Sequence, residues 1–304
     1  MPDTVLRENL KSGAIEEAER PLPAAKPLLP RRFYQNVQVA PAEAGRESET
    51  ALAEAPVAVE AAAGPAAADK RGGAGPAEAG FFAVLLDGRA VKTPARRPLM
   101  VPSRAVAEWI AEEFRQQKEH INPALMPITR LANTVIDGLA EHQQPVREDI
   151  LRYSACDMLF YRADSPRELA EKQTQSWDKV LDWAGETMGV EFQTGTGLRF
   201  VTQKPEALAA VSSYLRQWLS PASADTPYVL AALHSMTCLT GSALLAFMAA
   251  AGALEAREAW RLAHIEEDWA ITQWGQDEQA ARSRAERARD FYAAAAVPAA
   301  LKPA

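Results

Sequence analysis

Residues 81–93 read FFAVLLDGRAVKT, and this stretch decides the fold. FFAVLL is a strand, Asp87-Gly88 is a two-residue hairpin turn and RAVKT is the return strand. Gly88 suits such a turn because the turn needs positive φ, which glycine adopts at little cost. Working outward, Leu99-Met100-Val101 extends the β unit toward the C-terminus. Upstream, RRFYQNVQVA at 31–40 alternates as a strand through Phe33, Val37 and Val39. Between them, Ala, Gly and Pro fill 25 of the 40 positions at 41–80, with no aromatic residue. Such a segment buries too little apolar surface to offset its ordering entropy, so 41–80 is expected to be a flexible insertion into a small β domain at 31–101.

After Pro102 the period changes to helical. Ser103 can cap a helix carrying Val106, Trp109, Ile110 and Phe114 on one face. Further helices are expected at about 127–140 and 146–162. Ser165-Pro166-Arg167-Glu168 reads as a capping box with Pro at the first helical position, opening a helix that ends near Gly189. A short β excursion around Gly195 and Gly197 precedes a helix from Pro205. A long final helix is expected over about 255–296, with a loose tail at 1–30 and another at 297–304. The fold class is therefore α+β: a small N-terminal β domain followed by a larger, mainly α-helical domain at 102–296.

Thr226 to Leu254 carries no charged residue. That is long enough to span a bilayer, but His234, Ser235, Thr237, Thr240, Gly241 and Ser242 sit near its middle. Two buried helices, or one kinked helix, are the expected outcome, with no membrane insertion.

The chain has 304 residues and a formal net charge of −7, which offers no general attraction to nucleic acid or anionic lipid. Its two cysteines, Cys156 and Cys238, form neither a CxxC pair nor a metal spacing, and are expected to be reduced, partly buried thiols. The first residues lack a basic start and an apolar run, so the expected setting is cytoplasmic. No Gly-Lys dipeptide, dinucleotide glycine fingerprint or GxSxG elbow is present, and the four histidines have no HExxH spacing. No cofactor, metal or catalytic residue is therefore expected.

The richest cluster lies in the predicted last helix: His264, Glu266, Glu267, Asp268, Trp274, Asp277 and Glu278. At about 100° per residue, Trp260, His264, Glu267, Ile271, Trp274 and Glu278 share one face, with Leu262, Ile265 and Trp269 opposite. Asp268 and Asp277 read as solvated or salt-bridged carboxylates. Glu266 falls between the two stripes and reads as a polar anchor, because a buried carboxylate there must be paired. Arg282, Arg284, Arg287 and Arg289 alternate with acids and read as a solvated surface.

The ordered motifs Arg32-Phe33-Tyr34, Asp87-Gly88-Arg89, Thr93-Pro94, Met126-Pro127, Gln175-x-Trp177-Asp178, Glu266-Glu267 and Trp274-Gly275-x-x-Glu278 resemble the ATP-synthase assembly chaperones that bind the alpha subunit of the soluble catalytic head. The resemblance covers about 31–40 and 81–296. It implies a non-enzymatic factor, monomeric when free, that shields the apolar interfaces of the free alpha subunit until the beta subunit replaces it. Bacterial members are cytoplasmic and eukaryotic relatives lie in the mitochondrial matrix. Motif matching singles out Glu266, then Glu267, Trp274 and Glu278, as partner-binding or structurally essential. Two other readings stay open: a helical-domain enzyme using Glu266, Glu267 or Glu278 with His264, and an adaptor unrelated to ATP synthase.

Overall fold

The computed structural model describes residues 29–42, 80–220 and 223–301. The expected tail at 1–30 and insertion at 41–80 fall almost wholly outside them. Strand β1 (Val37–Pro41) pairs antiparallel with β2 (Phe82–Leu86), which turns through Asp87-Gly88 into β3 (Arg89–Ala90). Strand β4 (Met100–Val101) pairs with the start of β2. Asp87 and Gly88 both take positive φ, 48° and 81°, the conformation that a two-residue hairpin with right-handed strand twist requires. The Asp87 carboxylate accepts from the Asn36 N–H at 2.7 Å and the Gln35 N–H at 3.0 Å, which holds its acid below the usual range. The chain before β1 is thereby fixed to the turn. Phe33 lies outside the strand and is exposed, while Tyr34 is buried and donates its hydroxyl to the Phe114 carbonyl at 2.7 Å.

The sheet ends where the insertion begins. Pro41 is opposite Phe82, and the Ala42 N–H donates to the Phe81 carbonyl at 2.9 Å. The two ends are already side by side, so joining Ala42 to Gly80 through a short glycine-containing turn should preserve the fold, since shortening a closed loop reduces its closure entropy cost. A variant lacking 43–79 is expected to keep its circular dichroism spectrum and a cooperative melt. Loss of either would make the segment structural.

Ten helices follow among the described residues. They are α1 (Arg104–Arg115), α2 (Pro127–Thr134), α3 (Gln143–Ala155), α4 (Arg167–Met188), α5 (Pro205–Trp218), α6 (Thr226–Thr240), α7 (Ala243–Ala251), α8 (Ala256–Ala263), α9 (Ile265–Trp274) and α10 (Glu278–Leu301). Short strands β5 (Tyr161–Arg162) and β6 (Gly195–Thr196) pair in parallel, as the glycines at 195 and 197 suggested. The charge-free segment is two buried helices, α6 and α7, and no helix is long and apolar enough to cross a membrane among the described residues. Gly241, at φ 71°, ends α6, and Ser242 starts α7 by accepting from the Leu245 N–H at 3.0 Å.

Asp157 locks that corner. It is fully buried, accepting from the Ser242 hydroxyl at 2.9 Å and from the N–H groups of Leu159 and Leu244 at 3.1 Å each. Burial pushes its acid up to about 6 against these hydrogen bonds. One apolar cluster runs from Val84 and Leu86 through Ile110 and Leu230 to Phe291, crossing the change from strand to helix at 101–102. Tyr228 on α6 also donates to the Met100 carbonyl at 3.0 Å, and Ser103 donates to the Ala300 carbonyl at 2.8 Å.

Several local expectations are corrected. The helix expected over 146–162 stops at Ala155, and Asp157 instead opens a short 3-10 turn. The capping box does not form: α4 starts at Arg167 with Pro166 as its cap residue and no side-chain cap bond. The single helix over 255–296 is three. At His264, the ring Nδ1–H takes the Trp260 carbonyl at 2.7 Å, the acceptor that the helical ladder would give to the His264 N–H. That N–H turns to Arg261 at 3.2 Å instead, and the chain bends. Gly275, at φ 83°, makes the second break, and Asp277 then caps α10 by accepting from the Ala280 N–H at 2.7 Å. The shared face predicted for Trp260 through Glu278 is therefore broken twice. The tail expected at 297–304 is helical through Leu301, because Val297, Pro298 and Leu301 bury their apolar surface. Both cysteines are exposed, not partly buried.

Candidate functional site

Helix α4 is the strut on which the site is built. Gln173 and Trp177 lie one turn apart on it and are both buried. The Trp177 indole N–H donates to the Leu262 carbonyl on α8 at 2.8 Å. The Gln173 amide oxygen accepts from the Ala163 N–H at 2.7 Å, and its amide nitrogen donates to the Glu266 carboxylate on α9 at 2.7 Å. Leu262 and Glu266 are also four residues apart, so two side chains of α4 meet two positions of the α8–α9 segment in register. Ala163 follows β5, and the Arg162 carbonyl accepts from the Gly197 N–H at 2.9 Å. Arg162 itself lies over the Trp177 ring at 4.9 Å and donates to Asp178 at 2.7 Å. A chain of hydrogen bonds thus joins Glu266 through Gln173 to the β5–β6 bridge.

Glu266 is therefore a polar link between helices, but an exposed one, with one carboxylate oxygen facing Gln173. Gln173 was not singled out by sequence. It stands four residues before Trp177, the spacing at which Leu262 stands before Glu266, but only the crossing of the helices shows that the two pairs meet.

The other three candidates point elsewhere. Glu267 turns toward α10, 3.7 Å from Arg287 and 4.0 Å from Arg284. Asp268 pairs with Arg284 at 2.6 Å, so part of the arginine run serves intramolecular pairing. Trp274 is 88% exposed at the end of α9. The Glu278 side chain is 93% exposed and meets Arg282 only at 3.9 Å.

This arrangement does not assemble the acid–base pair that the enzyme reading needs. His264 is buried and stacked on Trp260 with ring centres 3.9 Å apart, and burial lowers its basicity. Its free Nε2 is 3.9 Å from Glu267, beyond hydrogen-bond reach. A cleft of about 190 Å³ at the α9–α10 junction is lined by Glu267, Ile271, Trp274 and Asp277, with neither Glu266 nor His264 in its wall.

Large apolar side chains are also exposed elsewhere among the described residues, Phe33 and Leu125 among them. Leu198 and Phe200, just after β6, are exposed, as is Trp274. The structure also gathers Asp149, His234 and Cys238, a group that no scan of Glu–His or CxxC spacings would find, because Asp149 comes from a different helix.

Comparison with known proteins accords with this architecture. The family model described as ATP12 chaperone protein matches residues 67–185, a span that includes Gln173 and Trp177 but not Glu266. The mitochondrial protein atp12 of Schizosaccharomyces pombe is 25% identical over 210 residues, covering 66% of this chain and 71% of its own. The crystal structure of Atp12 from Paracoccus denitrificans aligns with a TM-score of 0.69 and 28% identity, over 90% of this chain and 99% of that one. A putative chaperone from Agrobacterium tumefaciens aligns with a TM-score of 0.74 and 41% identity, over 99% of this chain and 92% of that one. On this evidence of sequence and fold together, the chain belongs to the ATP12 chaperone family, the ATP-synthase assembly chaperones that its motifs resemble.

Proposed function

We propose that this protein binds the free alpha subunit of the ATP synthase catalytic head, covers its apolar interfaces until the beta subunit replaces it, and catalyses no reaction. Membership of the ATP12 chaperone family is the observation that carries this reading. The physical logic supports it. A protomer destined for a ring exposes large apolar surfaces while alone, and such surfaces aggregate. A cover needs apolar side chains of its own and a rigid frame to hold them. Leu198, Phe200 and Trp274 supply the first, and the Glu266–Gln173 link to α4 supplies the second. Glu266, Glu267, Trp274 and Glu278 form or position the contact surface. The protein acts as a monomer in a cytoplasmic setting.

Tagged protein incubated with lysate should recover free alpha subunit and little assembled enzyme. Recovery of neither, or of the assembled enzyme in equal measure, would overturn the proposal.

A further inference from the structure

His234 and Cys238 stand one turn apart on α6, and α3 brings Asp149 against them. The Asp149 Oδ2 atom is 2.7 Å from His234 Nε2, and Cys238 Sγ is 3.5 Å from the same nitrogen. One ligand atom from each residue falls within 4.8 Å of the others. We propose that Asp149, His234 and Cys238 form a binding site for one divalent transition-metal ion of the zinc type, bridging α3 and α6.

The donor set sets the class of ion. One thiolate, one imidazole and one carboxylate suit Zn²⁺ and its neighbours, whereas Mg²⁺ and Ca²⁺ require oxygen donors. The spacing fits as well. A tetrahedral zinc with bonds of about 2.0 Å to nitrogen and about 2.3 Å to sulfur places those two atoms about 3.5 Å apart. The Asp149 oxygen, 2.7 Å from the nitrogen, stands about half an ångström closer to it than the same geometry asks, and all three ligand atoms lie within 4.8 Å of one another. Arg152 occupies the other oxygen of Asp149, so the ligating oxygen is oriented by an outer partner. Tyr153 interacts with Cys238 through its hydroxyl from the neighbouring turn of α3. A cleft of about 310 Å³, lined by His234 and Cys238 together with Arg130, Thr134 and Asp290, gives an entry path and room for a water as fourth ligand.

Imidazole and thiol groups bind a metal only in their deprotonated forms, so binding strengthens as pH rises. The other charged or titratable groups around the site are Arg152, against Asp149, Tyr153, against Cys238, and Arg130 on α2 and Asp290 on α10, which share the cleft wall with His234. Arg130 is paired with Asp290, outside the ligand set, whereas Arg152 shares Asp149 with the ion, leaving the Cys238 thiolate as the one ligand charge that no arginine offsets.

The test uses the full chain, stripped with a chelator and titrated with Co²⁺. The expected result is one ion per chain and a thiolate-to-cobalt charge-transfer band, displaced by Zn²⁺, untouched by excess Mg²⁺, and tighter at about pH 8 than at about pH 6. Cys238→Ser should abolish the band and weaken binding by more than the roughly 100-fold that an outer partner costs. Cys156→Ser, removing the other exposed thiol, should change neither. His234→Asn should weaken binding as Cys238→Ser does, and melting in the absence of metal checks that both variants fold. No thiolate–cobalt band in the parent chain, or a band that survives Cys238→Ser, would overturn the site.

Discussion

Asp157→Ala should unfold with about 3 kcal/mol less free energy than the parent chain at neutral pH, measured by urea denaturation. The carboxylate is the acceptor for the buried N–H groups of Leu159 and Leu244 and for the Ser242 hydroxyl. Alanine takes that acceptor from both N–H groups, at a cost of roughly 1–3 kcal/mol each, and from the buried Ser242 hydroxyl. Asp157→Asn should fall between, because its oxygen still serves Leu159 while its amide opposes the Leu244 donor.

The same residue predicts a pH dependence of definite sign. Its acid titrates at 3.8 in the reference state and at about 6 in the fold, because burial disfavours the charged form. Between those values the folded chain holds a proton that the unfolded chain has lost, so this contribution to stability grows as pH falls from about 6 to about 4. The full effect is roughly 3 kcal/mol. The stability gap between the parent chain and Asp157→Ala should therefore widen on acidification. A gap that narrows would mean that the hydrogen bonds outweigh burial and that Asp157 stays ionised in the fold.

The architecture was legible where local chemistry and long-range packing agree. FFAVLLDGRAVKT needs only its own strand pattern and the Asp-Gly turn to specify a hairpin, and the hairpin is there. Gly241, Ser242 and the charge-free run around them announced two buried helices or one kinked helix, and two helices are present. What was not legible depended on groups distant in sequence. The last helix reads as continuous because nothing in its period reveals that the His264 ring takes the Trp260 carbonyl. Periodicity placed Glu266 between helices but could not name Gln173 as its partner, 93 positions away. Asp157 falls inside the helix expected over 146–162, where its sequence context suggests a capping or core-pairing role without naming partners; one donor, Leu159, is local, but the other two are 85 and 87 positions along the chain. Pairings of this kind arise from how helices cross, and one-dimensional spacing does not contain them.

Glu266→Lys should weaken capture of the alpha subunit by about thirtyfold, near 2 kcal/mol, while amide exchange protection in β1 and β2 stays unchanged. The expectation follows from the bonds of Gln173. Its oxygen is held by the Ala163 N–H and its nitrogen by Glu266. An ammonium group cannot accept from that nitrogen, and rotating the amide to suit the lysine would forfeit the bond to Ala163. Either way a buried amide group loses a partner and α9 is freed from α4, with Trp274 at its far end. Glu266→Gln separates two ways in which the residue can act. It keeps an oxygen for Gln173 but removes the charge, so retained capture with Glu266→Gln and lost capture with Glu266→Lys would assign Glu266 to positioning α9. Equal loss with both would assign it to charge recognition by the alpha subunit itself, while undiminished capture with Glu266→Lys would remove Glu266 from the contact surface altogether.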